Sequence, residues 1–164
     1  MTEADIPQVA EIERESFPSS WPQTAYKREL QNSVARYVVL TEPIAGAEAS
    51  TRGAGLWGTI RRIAGVNGHA AETAERVLGF LGMWLVVGDA HVVTVAVRAP
   101  RRREGIGERL FIAGVELAME YHQETVTLEV RRSNEAAQRL YRKYDLQAVG
   151  TRPRYYTDNH EDAV

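Results

Sequence analysis

The chain has 164 residues, 44% of them hydrophobic and 26% charged, with a formal net charge of -2. That length suits one compact domain, and the composition is that of an ordinary folded protein rather than a disordered or strongly basic one, so nucleic acid is not an implied partner. With no cysteine, disulfides, thiolate metal sites and a cysteine nucleophile are excluded together, and the four histidines (His69, His91, His122 and His160) lack the close spacing of a metal site, so no metal is expected.

The N-terminus, MTEADIPQVAEIERES, has neither the basic nor the apolar region of a signal peptide, and no apolar run approaches the roughly 18 residues of a membrane span. The protein is therefore expected in the cytoplasm, with no membrane contact. Asp5 is placed to cap a first helix whose apolar positions Ile6, Val9 and Ile12 recur at helical spacing, with Pro7 tolerated in the first turn. The segment 17–22 breaks it, and Ser20 with Gln23 has capping-box spacing for a second helix through Leu30. Residues 36–42, RYVVLTE, read as a strand, being β-branched and aromatic in the middle.

From 43 to 75 the composition turns to Gly, Ala, Thr and Glu and no period is sustained, which predicts a flexible insertion inside a single domain spanning 1–164. Within it, Leu56, Trp57, Ile60 and Ile63 suggest one short amphipathic turn beside Arg61 and Arg62. Two apolar runs, 77–87 and 91–97, flank Gly88-Asp89 and predict a hairpin buried on both faces. A helix over 105–121 follows, with Ile106, Leu110, Ala113 and Leu117 on one side. Residues 125–130 alternate, with Val126, Leu128 and Val130 on one face and Thr127 and Glu129 on the other, as a strand does. Ser133 or Asn134 caps a further helix to about 144, and 148–156 closes the order as a last strand. Two helices, three strands, helix, strand, helix, strand make a mixed α/β domain.

The most informative stretch, 97–107, joins a buried strand to an amphipathic helix. Amides at a helix N-terminus lack intrahelical partners and lie at the positive end of the macrodipole, which favours an anion. Gly105 and Gly107 remove side chains that would keep a phosphate from the backbone, while Arg102 and Arg103 add positive charge. The spacing is neither the dinucleotide fingerprint GxGxxG nor the P-loop. Taken alone it reads equally as a tight turn beside a solvated arginine cluster. It does resemble R/Q-x-x-G-x-G/A, the coenzyme A pyrophosphate motif of the Gcn5-related N-acetyltransferase (GNAT) superfamily, with Arg102, Gly105 and Gly107 at the three defined places.

A second run, TLEVRRSNEAAQRLY at 127–141, resembles LEVR-x-SN-x-x-A-x-x-LY of the RimI-like branch, which acetylates protein N-termini. The ending, Arg154-Tyr155-Tyr156 followed by Glu161-Asp162-Ala163, resembles YY-x(n)-EDA of the same branch, and Phe17-Pro18 with Trp21 extends the likeness to the start. The resemblance implies a mostly antiparallel mixed sheet flanked by helices and splayed between its fourth and fifth strands to admit acetyl-CoA. It implies that backbone groups of Val95, Ala96 and Val97, the run Arg102, Arg103, Glu104, Gly105, Ile106, Gly107 and Glu108, and Asn134 hold that cosubstrate. By the same resemblance Glu129 is the general base and Tyr141 the acid for the departing thiolate, while Phe17, Trp21, Tyr155 and Tyr156 wall the groove for a peptide N-terminus, such as that of a ribosomal protein. An α-amino group ionises near 7.7–8.0 against about 10.4 for lysine, so such a substrate needs less help from a base.

Without the motif, Glu129 reads as a strand carboxylate paired with an arginine, Tyr141 as a core aromatic, Asn134 as a helix cap, and the two tyrosines as cover for a sheet edge. RimI-like chains carry a strand before the first helix and another after EDA; both are expected to be short or missing here, and Asp145 stands where a glycine usually ends the helix. A small-molecule amine acetyltransferase and a non-catalytic acyl-CoA-binding module are the alternative readings.

Overall fold

The computed structural model describes residues 1–17, 24–44, 59–62 and 75–164, with 59–62 described through their backbone. After a 3-10 turn at Glu3–Asp5 come helices α1 (Ile6–Ser16) and α2 (Tyr26–Gln31), strands β1 (Ala35–Pro43), β2 (Thr59–Arg62), β3 (Glu75–Val86) and β4 (Asp89–Val97), and a 3-10 turn at Ala99–Arg101. Helix α3 (Ile106–Glu120), β5 (Thr125–Leu128), α4 (Glu135–Lys143), β6 (Arg152–Tyr156) and β7 (Glu161–Ala163) complete the chain.

Five strands form one sheet in the order β2-β1-β3-β4-β5, antiparallel throughout except for the parallel pair β4–β5; β6 and β7 form a separate antiparallel pair. The expected mixed α/β architecture is present. Both faces of the central strands are covered, which is why β1 and β3 are apolar without alternation. Val38, Leu40, Leu81 and Met83 pack with Leu110, Ala113 and Leu117 of α3. Tyr37, Val39 and Phe80 pack with Val9 and Ile12 of α1 and Tyr26 of α2. Phe80, Leu81 and Leu110 are 0% exposed, and each side chain of that size buried in full stabilises the fold by about 1.5–3 kcal/mol.

The strand pairing also opens the site. Strands β4 and β5 pair from Asp89↔Thr125 to Val92↔Leu128. Beyond that register β4 continues beside β3 as far as Gly79↔Val97. The chain after Leu128 leaves the sheet, because Val130 exchanges two backbone hydrogen bonds with Val164, at 3.0 and 2.9 Å. Residues 93–97 thus lose their neighbour on one side, the splay that the sequence resemblance implied.

Several local expectations are corrected. The stretch 43–75 is not wholly aperiodic: 59–62 form an edge strand along Val38–Thr41, so Ile60 belongs to a strand and not to a helical turn. Paired backbone can form there although Gly-rich flanks hide any pattern. Asp5 caps backward, accepting from the Thr2 amide at 2.6 Å, and makes no side-chain cap bond to α1. Helix α2 starts at Tyr26 behind Ala25, later than expected, and the Ser20–Gln23 capping box lies outside the described residues. Strand β4 is less fully buried than β3, because one of its edges meets a cleft. The strand expected over 148–156 begins at Arg152, and the run Glu161–Ala163 is itself a strand, the three-residue β7. Asp145 takes the left-handed conformation (φ 61°) that a glycine would hold more readily.

Candidate active site

Two cavities follow the gap between β4 and β5 and share Ser16, Phe17, Val95 and Asn134 as walls. The larger, of about 590 Å³, lies at the N-terminus of α3 and is walled by Val95, Ala96, Val97, Arg102, Arg103 and the run Gly105 to Glu108. The smaller, of about 230 Å³, lies where the strands part and contains Glu129, Tyr141 and Tyr156. Most of the residues singled out by sequence therefore meet in one cleft.

The turn into α3 is shaped by its glycines. Gly105 is the N-cap residue at φ 77°, and a Cβ there would meet nothing within 4 Å. A Cβ on Gly107 would meet only Val97 Cγ2, at 3.8 Å. Both positions leave open space before the unpaired amides of the first helical turn, which is what an anion needs. Arg102 braces the turn, its Nε donating to the Val97 carbonyl at 3.0 Å and its guanidinium to Ser16 Oγ at 3.1 Å. Arg101, which sequence reasoning passed over, also lines the cavity and donates to Glu42 and Glu104, at 2.6 and 2.9 Å. Glu104 itself does not line the cavity, since its carboxylate is held by Arg101. Glu108 lines it, but its carboxylate accepts from Lys143 Nζ and from Tyr144 Oη, tying α3 to α4; these contacts, Lys143 first, hold its pKa below the usual range.

Asn134 caps α4, its Oδ1 accepting from the Ala137 amide at 3.1 Å, and it borders both cavities as well. Tyr141 projects from α4 with its ring 5.1 Å from that of Phe111, and burial pushes its pKa up to about 12, so the hydroxyl keeps its proton. Tyr156 lies under the Arg131 guanidinium, 3.8 Å from ring centre, and burial likewise pushes it up to about 12. Tyr155 packs edge-on against Tyr156 at 5.2 Å but is 42% exposed and does not line the smaller cavity. Phe17 borders both cavities, whereas Trp21 lies outside the described residues.

Glu129 follows directly on β5, its side chain 14% exposed. Oε1 accepts from Arg152 Nε at 2.7 Å and Oε2 lies 3.2 Å from His91 Nε2. The plain expectation of an arginine partner is met, by a residue on β6 that is itself 65% exposed. His91 has contacts on its other side as well: its Nδ1 is 2.9 Å from Oγ1 of the exposed Thr127, which donates to Asp89 Oδ2 at 2.7 Å. Nothing in the local sequence marked His91 or Arg152, and only the register His91↔Thr127 would have found the first.

These residues suit an extended anionic thioester. The open helix terminus and arginine-rich turn offer an anion site, the unpaired edge of 93–97 offers free backbone groups for an amide-bearing arm, and a carboxylate and a protonated phenol share the inner cavity. Among the described residues no group of three or more His, Asp or Glu is placed to hold a metal ion, and no helix is long and apolar enough to cross a membrane.

Comparison with known proteins agrees with this geometry. The sequence model of the acetyltransferase (GNAT) family matches residues 6–145. A Bacillus subtilis protein assigned as a [ribosomal protein bS18]-alanine N-acetyltransferase is 35% identical over 161 residues, covering 98% of this chain and 86% of the relative. The N-alpha-acetyltransferase RimI of Mycobacterium tuberculosis is 32% identical over 165 residues, covering 99% and 85%. In fold, the chain is similar to the ribosomal-protein-S18-alanine N-acetyltransferase of Escherichia coli, with a TM-score of 0.68, 22% identity and coverage of 99% and 86%. A matching family model across most of its length and relatives above 30% identity show that the chain belongs to the acetyltransferase (GNAT) family and is an acetyl-CoA-dependent N-acetyltransferase.

Proposed function

We propose that this enzyme acetylates the α-amino group of a protein N-terminus in the cytoplasm, with an N-terminal alanine of a ribosomal protein as its substrate. The observation that carries the reading is the inner cavity, where Phe17 and Tyr156 stand beside Glu129 and Tyr141. At about 230 Å³ it has room for an amine and a small first side chain. The names of the Bacillus subtilis and Escherichia coli relatives, both alanine N-acetyltransferases of ribosomal protein S18, support the same acceptor.

Acetyl-CoA brings an acetyl group on a thioester; the chain's residues bind it, orient it and handle protons. The turn 101–107 and the α3 terminus hold the anionic end, and backbone groups of Val95, Ala96 and Val97 hold the arm. Glu129 takes the proton of the incoming amine, and Tyr141 gives its own to the departing sulfur. Peptides beginning with alanine or serine test this: acetyl-CoA consumption is expected with them and not with N-terminally blocked lysine peptides or polyamines. Absence of turnover with every peptide sinks the reading. Turnover of a small amine that survives Tyr156→Ala would move the assignment to a small-molecule acceptor.

A further inference from the structure

No step of the transfer uses Glu13, yet this carboxylate is 5% exposed, in the last turn of α1 on the same buried side as Val9 and Ile12. Burying a carboxylate is costly unless hydrogen bonds replace the water it loses. Thr24 supplies two: its hydroxyl donates to Oε1 and its backbone amide to Oε2, the latter at 3.3 Å. Burial, and after it the Glu13 charge, raises the pKa of the neighbouring Tyr26, so that phenol stays neutral beside the carboxylate. The backbone of Glu13 is engaged as well, its carbonyl accepting from the Phe17 amide at 3.0 Å. One residue therefore holds the chain where it leaves α1 and again where it approaches α2. Helix α1 is itself fixed to the sheet, since Gln8 donates to the Glu75 carbonyl at 3.0 Å and accepts from the Val77 amide at 2.9 Å. Phe17, the first residue past α1, borders both cavities.

We propose that Glu13 is a positioning residue for the acceptor: by holding Thr24 against α1 it keeps Phe17 in place as a wall of the inner cavity. The proposal rests on the reading that the acceptor amine enters that cavity. Tying both ends of a connection removes conformations that an incoming acceptor would otherwise have to select against, and the saving is felt in acceptor affinity. It does not reach the proton transfers or the anion site, because Glu13 and Thr24 line neither cavity. A carboxylate suits the task because it presents two acceptors and no donor, so both bonds from Thr24 form at once; a glutamine turns an NH₂ group toward one of the two donors. Packing alone would be served by an apolar side chain at position 13, as it is at 9 and 12.

The test is steady-state kinetics with acetyl-CoA and an alanine-initiated peptide on Glu13→Gln, Thr24→Val and Thr24→Ser, with Tm measured alongside. Glu13→Gln and Thr24→Val are each expected to raise KM for the peptide about 10–100-fold, the factor that corresponds to losing a hydrogen bond to a charged group. KM for acetyl-CoA, and kcat at saturating peptide, should stay at their wild-type values. Thr24→Ser keeps the hydroxyl and should behave as wild type, and the double variant Glu13→Gln/Thr24→Val should be no worse than the worse single one, since both break one contact. A wild-type KM for peptide in both single variants overturns the proposal. So does a fall in Tm with equal damage to both KM values and kcat, or a Thr24→Val chain that does not fold, since either makes the contact one that holds the domain together rather than one that serves the acceptor. The reading of the acceptor is decided separately, in the wild type: if a small amine is turned over and no peptide is, that reading falls, and KM for the amine in the same variants then tests Glu13.

Discussion

The two ends of the cleft are built in opposite ways. At the outer end the turn 97–107 is continuous in sequence, and what it offers is backbone: open amides, a left-handed Gly105 and a brace from Arg102 to Val97. At the inner end Asp89 and His91 come from β4, Thr127 from β5, Glu129 from just beyond it and Arg152 from β6, and what they offer is side chains in register. An end made of backbone depends on which conformations the chain permits, so it fails when a permissive residue is lost. An end made of distant side chains depends on strand pairing, and a single functional group can silence it with the fold intact.

The sharpest separation should come from the inner end. Glu129→Gln and Tyr141→Phe keep size and remove a proton-handling group, and each is expected to lower kcat about 10²–10⁴-fold. The KM for acetyl-CoA should stay at its wild-type value, because neither residue walls the larger cavity. Burial holds Tyr141 near 12, so its hydroxyl stays protonated in mildly alkaline solution and no loss of kcat from this group is expected until pH approaches that value. Steady-state kinetics across pH check both statements, and a kcat that declines with the midpoint of an ordinary tyrosine would remove Tyr141 as the acid.

The outer end should break differently. Valine at position 105 would be forced to φ 77°, a conformation costing about 1–3 kcal/mol for a residue with a side chain. The turn will relax and draw its amides from the anion, so KM for acetyl-CoA should rise about 10–100-fold at roughly 1.4 kcal/mol per decade. The effect on kcat at saturation should be far smaller. If Gly105→Val instead lowers kcat and spares KM, the division between the two ends is wrong.

Asn134 borders both cavities and can be split by atom. Asn134→Ala removes the cap bond to Ala137, which costs about 0.5–2 kcal/mol, or a few degrees in Tm for a chain of this size. Asn134→Ser keeps a capping oxygen and removes the Nδ2 donor without adding charge. Stability near wild type with a raised KM for acetyl-CoA in the serine variant assigns Nδ2 to the cosubstrate; an unchanged KM leaves Asn134 a cap alone.

What the sequence made legible follows the same division. The hairpin β3–β4 and helix α3 were readable because two apolar runs flank Gly88-Asp89 and apolar residues recur at helix period behind Gly105. The turn and Glu129, Asn134 and Tyr141 were readable because each stands in a contiguous motif. Strand β2 was not, since its four residues acquire meaning only beside Val38–Thr41 of β1 and are flanked by Gly-rich chain. The contacts among Asp89, Thr127 and His91 were not, because the parallel register of two strands some 36 residues apart creates them. Glu104 and Glu108 were placed near the cosubstrate by proximity in sequence, but their carboxylates are spent on Arg101 and on Lys143 with Tyr144.

The mildest effect should come from the hairpin that carries Tyr156, and it can be reached by acid alone. Glu161 accepts from the Ser133 amide at 2.6 Å and from Arg131 at 3.3 Å. Hydrogen bonds from Ser133, then from Asn159 and Arg131, lower its pKa from 4.5 to about 2. A depressed carboxylate contributes stability that is present above its ordinary value and is lost as pH falls toward the folded one, so the window runs from about 4.5 down to about 2. Across that window the proton is taken up by the opened hairpin, where Glu161 has its ordinary pKa, so opening becomes easier, while the closed hairpin keeps the Glu161–Arg131 contact that holds Arg131 over Tyr156 until about 2. Amide exchange in residues 152–163 should therefore accelerate relative to α3 in the same sample as pH drops through that window. Glu161→Gln should show the faster exchange already at neutral pH and respond little to acid. Equal protection of hairpin and α3 down to about pH 2 would mean that Tyr156 is held by packing against Tyr155 and not by the Glu161–Arg131 chain.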